Sequence, residues 1–294
     1  MRVPTSQKAL VLTVGLLATG CSAADSADSA DRPAVLASIY PLEWVTEQVA
    51  GDRVRVEGLT PPGAEPHDLE LGTRQVASLS EADLIVYLDG FQPALDDAIV
   101  QEASDSALDV SSAARLLPLA GTLDPHFWLD PLRLADVAEA IAGRLAKVDP
   151  NGTARYRAGA AQTRRTLEAL DAELAEGLAG CAGTELVTSH EAFGYLADRY
   201  GMSQVGISGL SPDAEPAPRQ VAEVSDLVRT NGVRTIYYET LVSPDVARTI
   251  ARETGASTAV LDPIEGLTDT SRGEDYLAVM RSNLATLQEG QPCR

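Results

Sequence analysis

Basic residues are scarce in this chain. Lys and Arg together number 23 against 43 Asp and Glu in 294 residues, a formal net charge of −20. No phosphate-neutralising surface can be spread over such a chain, which excludes a nucleic-acid partner and disfavours adsorption to anionic headgroups. A cationic ligand is compatible with the same balance. Aromatic residues make up only 4%, so aliphatic side chains and alanine must build the core. The most apolar stretch, near the N-terminus, runs to about a dozen residues, against the roughly 20 that a membrane-spanning helix needs. GxSxG, a P-loop and GxGxxG are all missing, and His190-Glu191 is followed by Ala192, Phe193 and Gly194 rather than completing HExxH. The commonest hydrolase, nucleotide and zinc-peptidase signatures are therefore absent. Histidine and cysteine each occur three times.

What is present begins with an export pattern. Arg2 and Lys8 precede the apolar residues 9–17, and Gly20-Cys21 ends the run. A positive start, a short apolar centre and small residues at the end read as a signal peptide, with Cys21 in the position of a lipidated cysteine. Ala18 departs from the leucine that a bacterial lipobox prefers there; the other reading is plain secretion. Residues 22–31 (SAADSADSAD) are polar and of low complexity, and predict a disordered tether. The expected order is thus a signal peptide over 1–20, then a lipid anchor and tether over 21–33. The body that follows is held outside the membrane by lipid alone. Cys181 and Cys293 remain, and in an oxidising compartment such a pair predicts a disulfide. A two-cysteine metal site is the poorer alternative, since no CxxC occurs and 112 residues separate them.

From residue 34 onward, strand-like and helix-like segments alternate, which implies parallel sheets with helices on their faces. Strands are expected at 34–40, 54–59 and 84–88, then at 185–189, 203–207, 235–239 and 257–261. Between the two groups lies one helical segment, about 152–178. Its apolar stripe of Leu167, Leu170, Leu174 and Leu178 has helical spacing. At 1.5 Å per residue it would be roughly 40 Å long, a strut between an N-terminal lobe (34–148) and a C-terminal lobe (181–294), with 149–180 as the connection.

The three histidines occupy similar places. His67 lies in PPGAEPHDLE after a strand, His126 between two prolines in LDPHFWLDP, and His190 directly after the strand ELVTS. Any one of them alone reads as incidental. Together they stand at or beyond strand ends, and the carboxyl ends of parallel strands face the ligand crevice. Imidazole is a preferred ligand of Zn²⁺, and a tetrahedral site needs a fourth donor. The second lobe offers Asp262 after STAVL and Glu239 at the end of TIYYE; each also has a bland reading as a cap or a solvated loop charge.

GAEPHDLE, DPHFWLDP, TSHEAFGYLADRYGM, YYETLVSP and VLDPIEGL together resemble a known family, the substrate-binding lipoproteins of zinc and manganese ABC importers (solute-binding protein family 9, zinc type). The resemblance covers about residues 34–289. It implies two α/β lobes, each with a mostly parallel four-stranded sheet, joined by one rigid backbone helix. It implies metal ligands at His67, His126, His190 and Asp262, with Glu239 and Glu65 as orienting groups or alternative ligands. The implied partner is an ABC permease with its cytoplasmic ATPase, the implied cargo Zn²⁺ with Mn²⁺ as alternative, and the expected state a monomer without enzymatic activity. Zinc-type members often carry a His-rich loop between the first two ligands; residues 68–125 here contain no histidine. Three imidazoles and one carboxylate favour zinc, whereas manganese-type members tend to place a carboxylate at the position of His190. Neutral imidazoles have an ordinary pKa of about 6.5, so binding is expected to weaken as pH falls through the region near 6. A zinc hydrolase or hydratase built on the same three histidines is the rival from another class, because three His and an open position also make a catalytic centre. A surface adhesin is a third reading, without a sequence feature in its favour.

Overall fold

The computed structural model describes residue 1, residues 32–119 and residues 121–293. The expected export segment, Cys21 and the tether fall on residues that are, but for the first and last few, outside the described ones. Residues 33–294 form one compact unit, and the elements below belong to it. No helix among the described residues is long and apolar enough to cross a membrane.

The first half runs β1 (Ala34–Ala37), α1 (Tyr40–Ala50), β2 (Arg55–Gly58), α2 (Thr73–Glu81), β3 (Leu84–Tyr87), α3 (Pro93–Glu102), β4 (Ala107–Asp109) and α4 (Ser111–Ala114). A small antiparallel hairpin, β5 (Pro118–Leu119) and β6 (Thr122–Leu123), precedes α5 (Pro131–Val148) and the long α6 (Thr153–Leu178). The second half runs β7 (Glu185–Thr188), α7 (Gly194–Tyr200), β8 (Ser203–Gly206), α8 (Pro218–Asn231), β9 (Thr235–Tyr238), α9 (Asp245–Thr254), β10 (Ser257–Val260) and α10 (Tyr276–Gly290). The two sheets have orders β2-β1-β3-β4 and β10-β9-β7-β8, all pairs parallel. Counted from its own first strand, each sheet has the order 2-1-3-4, so each half is a copy of one topology. In both, the chain leaves the first strand toward one edge and returns to its other side, which opens a crevice beyond the strand ends.

The two-lobe, strut-connected α/β architecture expected from sequence is the one observed. The strand Ala107–Asp109 and the hairpin after it escaped the pattern reading because three and two residues are too short to display a period. After β7, residues 189–193 form no helix, and α7 starts at Gly194.

Helix α6 spans 26 residues. Its leucine stripe continues N-terminally through Tyr156 and the small residues Gly159, Ala160 and Thr163, which the leucine count had passed over. Gly159 explains them: a Cβ there would lie 2.0 Å from the carbonyl oxygen of Val49 on α1. Further along, Asp171 receives Arg199 of α7, Glu173 receives Arg281 of α10, and the Gly177 carbonyl accepts from Gln288. The strut therefore packs on α1 and α5 at one end and on α7 and α10 at the other. Cys181, just past α6, is bonded to Cys293, just past α10.

The halves also meet directly. The Trp44 and Tyr276 rings pack with centroids 4.8 Å apart. Trp128 Nε1 donates to the Pro263 carbonyl at 2.7 Å, and the Tyr276 hydroxyl donates to the Trp128 carbonyl at 2.6 Å. The Tyr195 hydroxyl donates to the Asp124 carbonyl at 2.6 Å and accepts from Leu117 N–H at 2.8 Å. One buried apolar cluster runs through both halves, so the crevice floor is core rather than a solvent-filled hinge.

Because Gly159 permits the α1–α6 approach, Gly159→Leu should destabilise the protein by at least about 1–3 kcal/mol, the usual cost of overpacking. Gly143→Ala, on an exposed turn of α5 with open space around it, should gain up to about 1 kcal/mol. Denaturant unfolding of the two variants checks both signs.

Candidate metal centre

Three loops bring histidines to the crevice by related means. In Glu65-Pro66-His67 the Glu65 carboxylate accepts the His67 N–H at 3.1 Å. In Asp124-Pro125-His126 the Asp124 carboxylate accepts the His126 N–H at 3.0 Å. A residue before proline is held extended, and an acidic side chain there can close a turn onto the N–H two residues on. His190 needs no proline. It follows β7, whose neighbour β9 is followed directly by Glu239, and Ser189 N–H continues the pairing to the Tyr237 carbonyl at 2.9 Å.

The three Nε2 atoms converge on one carboxylate oxygen. Glu265 Oε1 lies 3.0 Å from His126 Nε2, 3.4 Å from His67 Nε2 and 3.5 Å from His190 Nε2. His126 and His190 Nε2 are 3.4 Å apart. Donor atoms of all four residues lie within 4.8 Å of one another, close enough to share one ion. His126, His190 and Glu265 are sealed from solvent, and His67 keeps 11% of its side-chain surface. The His67 ring stands edge-on to Phe91 with centroids 4.6 Å apart. It lines a cavity of about 490 Å³ together with Phe91, the hairpin strand residues Thr122 and Leu123, and Leu210.

Behind the imidazoles stand further carboxylates. Asp124 Oδ1 lies 2.8 Å from His126 Nδ1. Glu239 Oε2 lies 2.7 Å from His190 Nδ1, an ion-pair distance without hydrogen-bond alignment, and Glu239 Oε1 accepts from the Ser189 hydroxyl. A carboxylate on Nδ1 keeps the proton there and turns the Nε2 lone pair toward a metal.

Burial opposes charge on His190, but Glu239 and then Glu265 outweigh it and lift its pKa to about 10. His126 is likewise raised, burial being outweighed by Asp124 and Glu265. Burial pushes the Glu265 carboxyl up, and the three imidazoles override it and hold the group well below the usual range. Glu65, at the rim, is pushed up to about 8 by burial and by the charge of Glu265.

The structure thus brings together His67, His126 and His190, puts Glu239 behind His190, and puts Glu65 on the His67 turn. It does not bring Asp262 to the cluster. That carboxylate accepts the Ile264 N–H at 2.8 Å, while its backbone is pinned by Asn283. The corner that the sequence reading assigned to Asp262 is occupied by Glu265, three residues on. Ile264 between them has φ +60°, a left-handed conformation that costs a β-branched residue energy and swings the following side chain into the crevice. The Asp-Pro pair signals only that the first carboxylate is taken by the turn, not that Glu265 stands in its place.

Two repeated α/β lobes across one rigid helix, with an N₃O donor cluster in the crevice, define a helical-backbone metal receptor. The family model described as ZnuA, zinc-uptake complex component A, periplasmic, matches residues 35–290, and the chain belongs to that family. The zinc-binding lipoprotein AdcA of Streptococcus pneumoniae is 35% identical over 93% of this chain, which spans 58% of that relative's length. The high-affinity zinc uptake system protein ZnuA of Bacillus subtilis is 31% identical over 93% of both chains. Among solved structures, the Zn(II)-bound ZnuA-like domain of Streptococcus pneumoniae AdcA is 36% identical, with a TM-score of 0.77 over 88% of this chain and 99% of its own. The laminin-binding protein Lmb of Streptococcus agalactiae, described as a bifunctional protein with adhesin and metal transporting activity, is 33% identical with a TM-score of 0.79 over 88% of this chain and 99% of its own.

In the metal-free protein His190 should still carry its proton at pH 8, since its pKa is near 10. Glu239→Gln removes the largest opposing charge and should lower that pKa. Imidazole ¹⁵N shifts followed through a pH titration read both outcomes.

Proposed function

We propose that this chain is the extracytoplasmic substrate-binding protein of a metal ABC importer. It captures Zn²⁺ with His67, His126, His190 and Glu265 and delivers it to a membrane permease worked by a cytoplasmic ATPase. The observation that carries the reading is the convergence of three Nε2 atoms on one buried carboxylate oxygen. Membership of a zinc-uptake family supports it. The proposed division is a lipid anchor at Cys21, a tether, and two lobes on a strut, with the protein acting as a monomer.

Donor chemistry favours Zn²⁺ over Mn²⁺. Three imidazoles and one carboxylate suit four-coordinate zinc, whereas manganese prefers more oxygen and a larger shell. The same donors argue against a hydrolase. A catalytic zinc keeps a position open to water and substrate, and here a fourth side chain stands among the histidines while two of them are sealed from solvent. Asp124 and Glu239 orient the imidazoles they touch, and Glu65 shapes the His67 turn.

Zn²⁺ should win a direct competition with Mn²⁺; equal affinities would overturn the zinc assignment. The proton account fixes the pH dependence. His190 is protonated below about 10 in the metal-free state, so the ion must displace at least one proton throughout the neutral range. Affinity should rise about tenfold per pH unit for each proton displaced, and keep rising well above pH 6. Calorimetry in buffers of different ionisation enthalpy counts the released protons; a count of zero at pH 7 contradicts the site.

A further inference from the structure

The turn Asp262-Pro263-Ile264-Glu265 is anchored far more heavily than a surface loop requires. Asn283, buried on α10, accepts the Asp262 N–H at 2.9 Å and returns its amide to the Asp262 carbonyl at 2.7 Å. Asp262 Oδ1 accepts the Ile264 N–H at 2.8 Å. Trp128, two residues beyond His126, donates to the Pro263 carbonyl at 2.7 Å. These bonds surround Ile264, a fully buried residue at φ +60°. A non-glycine residue stays there only where its surroundings enforce it. The product of the enforced conformation is the placement of Glu265 against all three imidazoles.

We propose that Asp262 and Asn283 are positioning residues that clamp this turn and thereby set how long the metal stays bound. Asn283 fixes the start of the turn, Asp262 holds Ile264 in the left-handed conformation, and Glu265 is delivered as the fourth donor. Without the clamp, Ile264 relaxes to negative φ and the carboxylate withdraws, leaving three imidazoles and an opening for water. Asp262 thus bears on metal binding through a neutral acceptor role that its charge does not supply. The inference rests on the zinc-binding reading above.

The test compares Asp262→Ala, Asp262→Asn and Asn283→Ala with the unaltered protein, by zinc release into a chromogenic chelator and by the visible spectrum of the Co²⁺-loaded form. Asparagine keeps an oxygen for the Ile264 N–H and puts its amide in place of Oδ2, which is buried without a hydrogen-bond partner. Asp262→Ala and Asn283→Ala should release zinc about 10- to 100-fold faster, the usual effect of removing an orienting partner. Their Co²⁺ bands should weaken as water enters the shell. Asp262→Asn should restore near-native release and a four-coordinate spectrum, an outcome that a directly coordinating Asp262 would not allow. Metal-free circular dichroism separates these effects from misfolding, and Asp262→Asn, nearly isosteric, remains informative if the alanine variants fail to fold. Asp262→Asn as damaging as Asp262→Ala, or native release from every variant, overturns the clamp while zinc binding stands. Failure of the unaltered protein to take up Zn²⁺ or Co²⁺ overturns both.

Discussion

A carboxylate is buried at the centre of this molecule, and most of the structure follows from keeping it there. An ionised group removed from water is tolerated only with close partners of opposite sign or a full set of donors. Glu265 finds them in three imidazoles that arrive from different segments. Two of those segments belong to the first half, one to the second, and Glu265 itself follows the last strand of the second sheet. Convergence to a few ångströms then demands that both sheets aim their carboxyl ends at one crevice and that the halves be held in fixed register. The repeated 2-1-3-4 order supplies the first condition. The strut, with its glycine-mediated contact to α1 and its ion pairs to α7 and α10, supplies the second.

The same local device recurs around the crevice. An acidic residue, a proline and a third residue close a turn in which the carboxylate accepts the N–H two positions on, at Glu65, Asp124 and Asp262. Proline holds the preceding residue extended, and the carboxylate satisfies an N–H that would otherwise be stranded in a buried loop. At the first two turns the functional side chain is the residue after proline. At the third it is one residue later, and the extra step is taken by Ile264 in the left-handed region. Asp124 carries a further duty, since its oxygen that holds the backbone of His126 also meets the ring nitrogen. Turn chemistry and ligand orientation are there a single interaction.

Those turns also explain what was legible in the sequence. The three histidines could be read because they are the only ones in the chain and stand beyond strand ends; no packing detail was needed. Glu265 could not, because nothing in VLDPIEGL announces that a β-branched residue will adopt positive φ. That conformation is imposed from outside, by Trp128 and by Asn283 on a helix 21 residues downstream of Asp262. Reading Asp262 as the donor followed the strand-end rule; the geometry instead gathers Glu265 with the histidines, a case of tertiary override. The strut was legible through its leucines but only in its C-terminal half. Its N-terminal half packs through Gly159 and Ala160, whose purpose appears only against α1. The strand at Ala107–Asp109 has too few residues for a period, and its place depends on pairing with β3.

The centre is asymmetric in a way that bears on how an ion enters and leaves. The seam between the halves is dry core, with aromatic packing and direct hydrogen bonds through Trp128, Tyr195 and Tyr276. Opening it exposes apolar surface and strands several buried polar groups at once, each costing about 1–3 kcal/mol. His126 and His190 are tied to opposite banks of that seam and are each backed by a carboxylate. His67 is not. It sits in the stretch between Gly58 and Thr73 that forms neither helix nor strand, held chiefly by Gln92 on the Pro66 carbonyl and by the Glu65 turn. It is also the donor that meets the 490 Å³ cavity. A route past His67 disturbs one loop and a few hydrogen bonds, whereas opening the seam breaks core. Rigid-body opening of two lobes is therefore the expensive motion in this fold, and displacement of the His67 loop the cheap one.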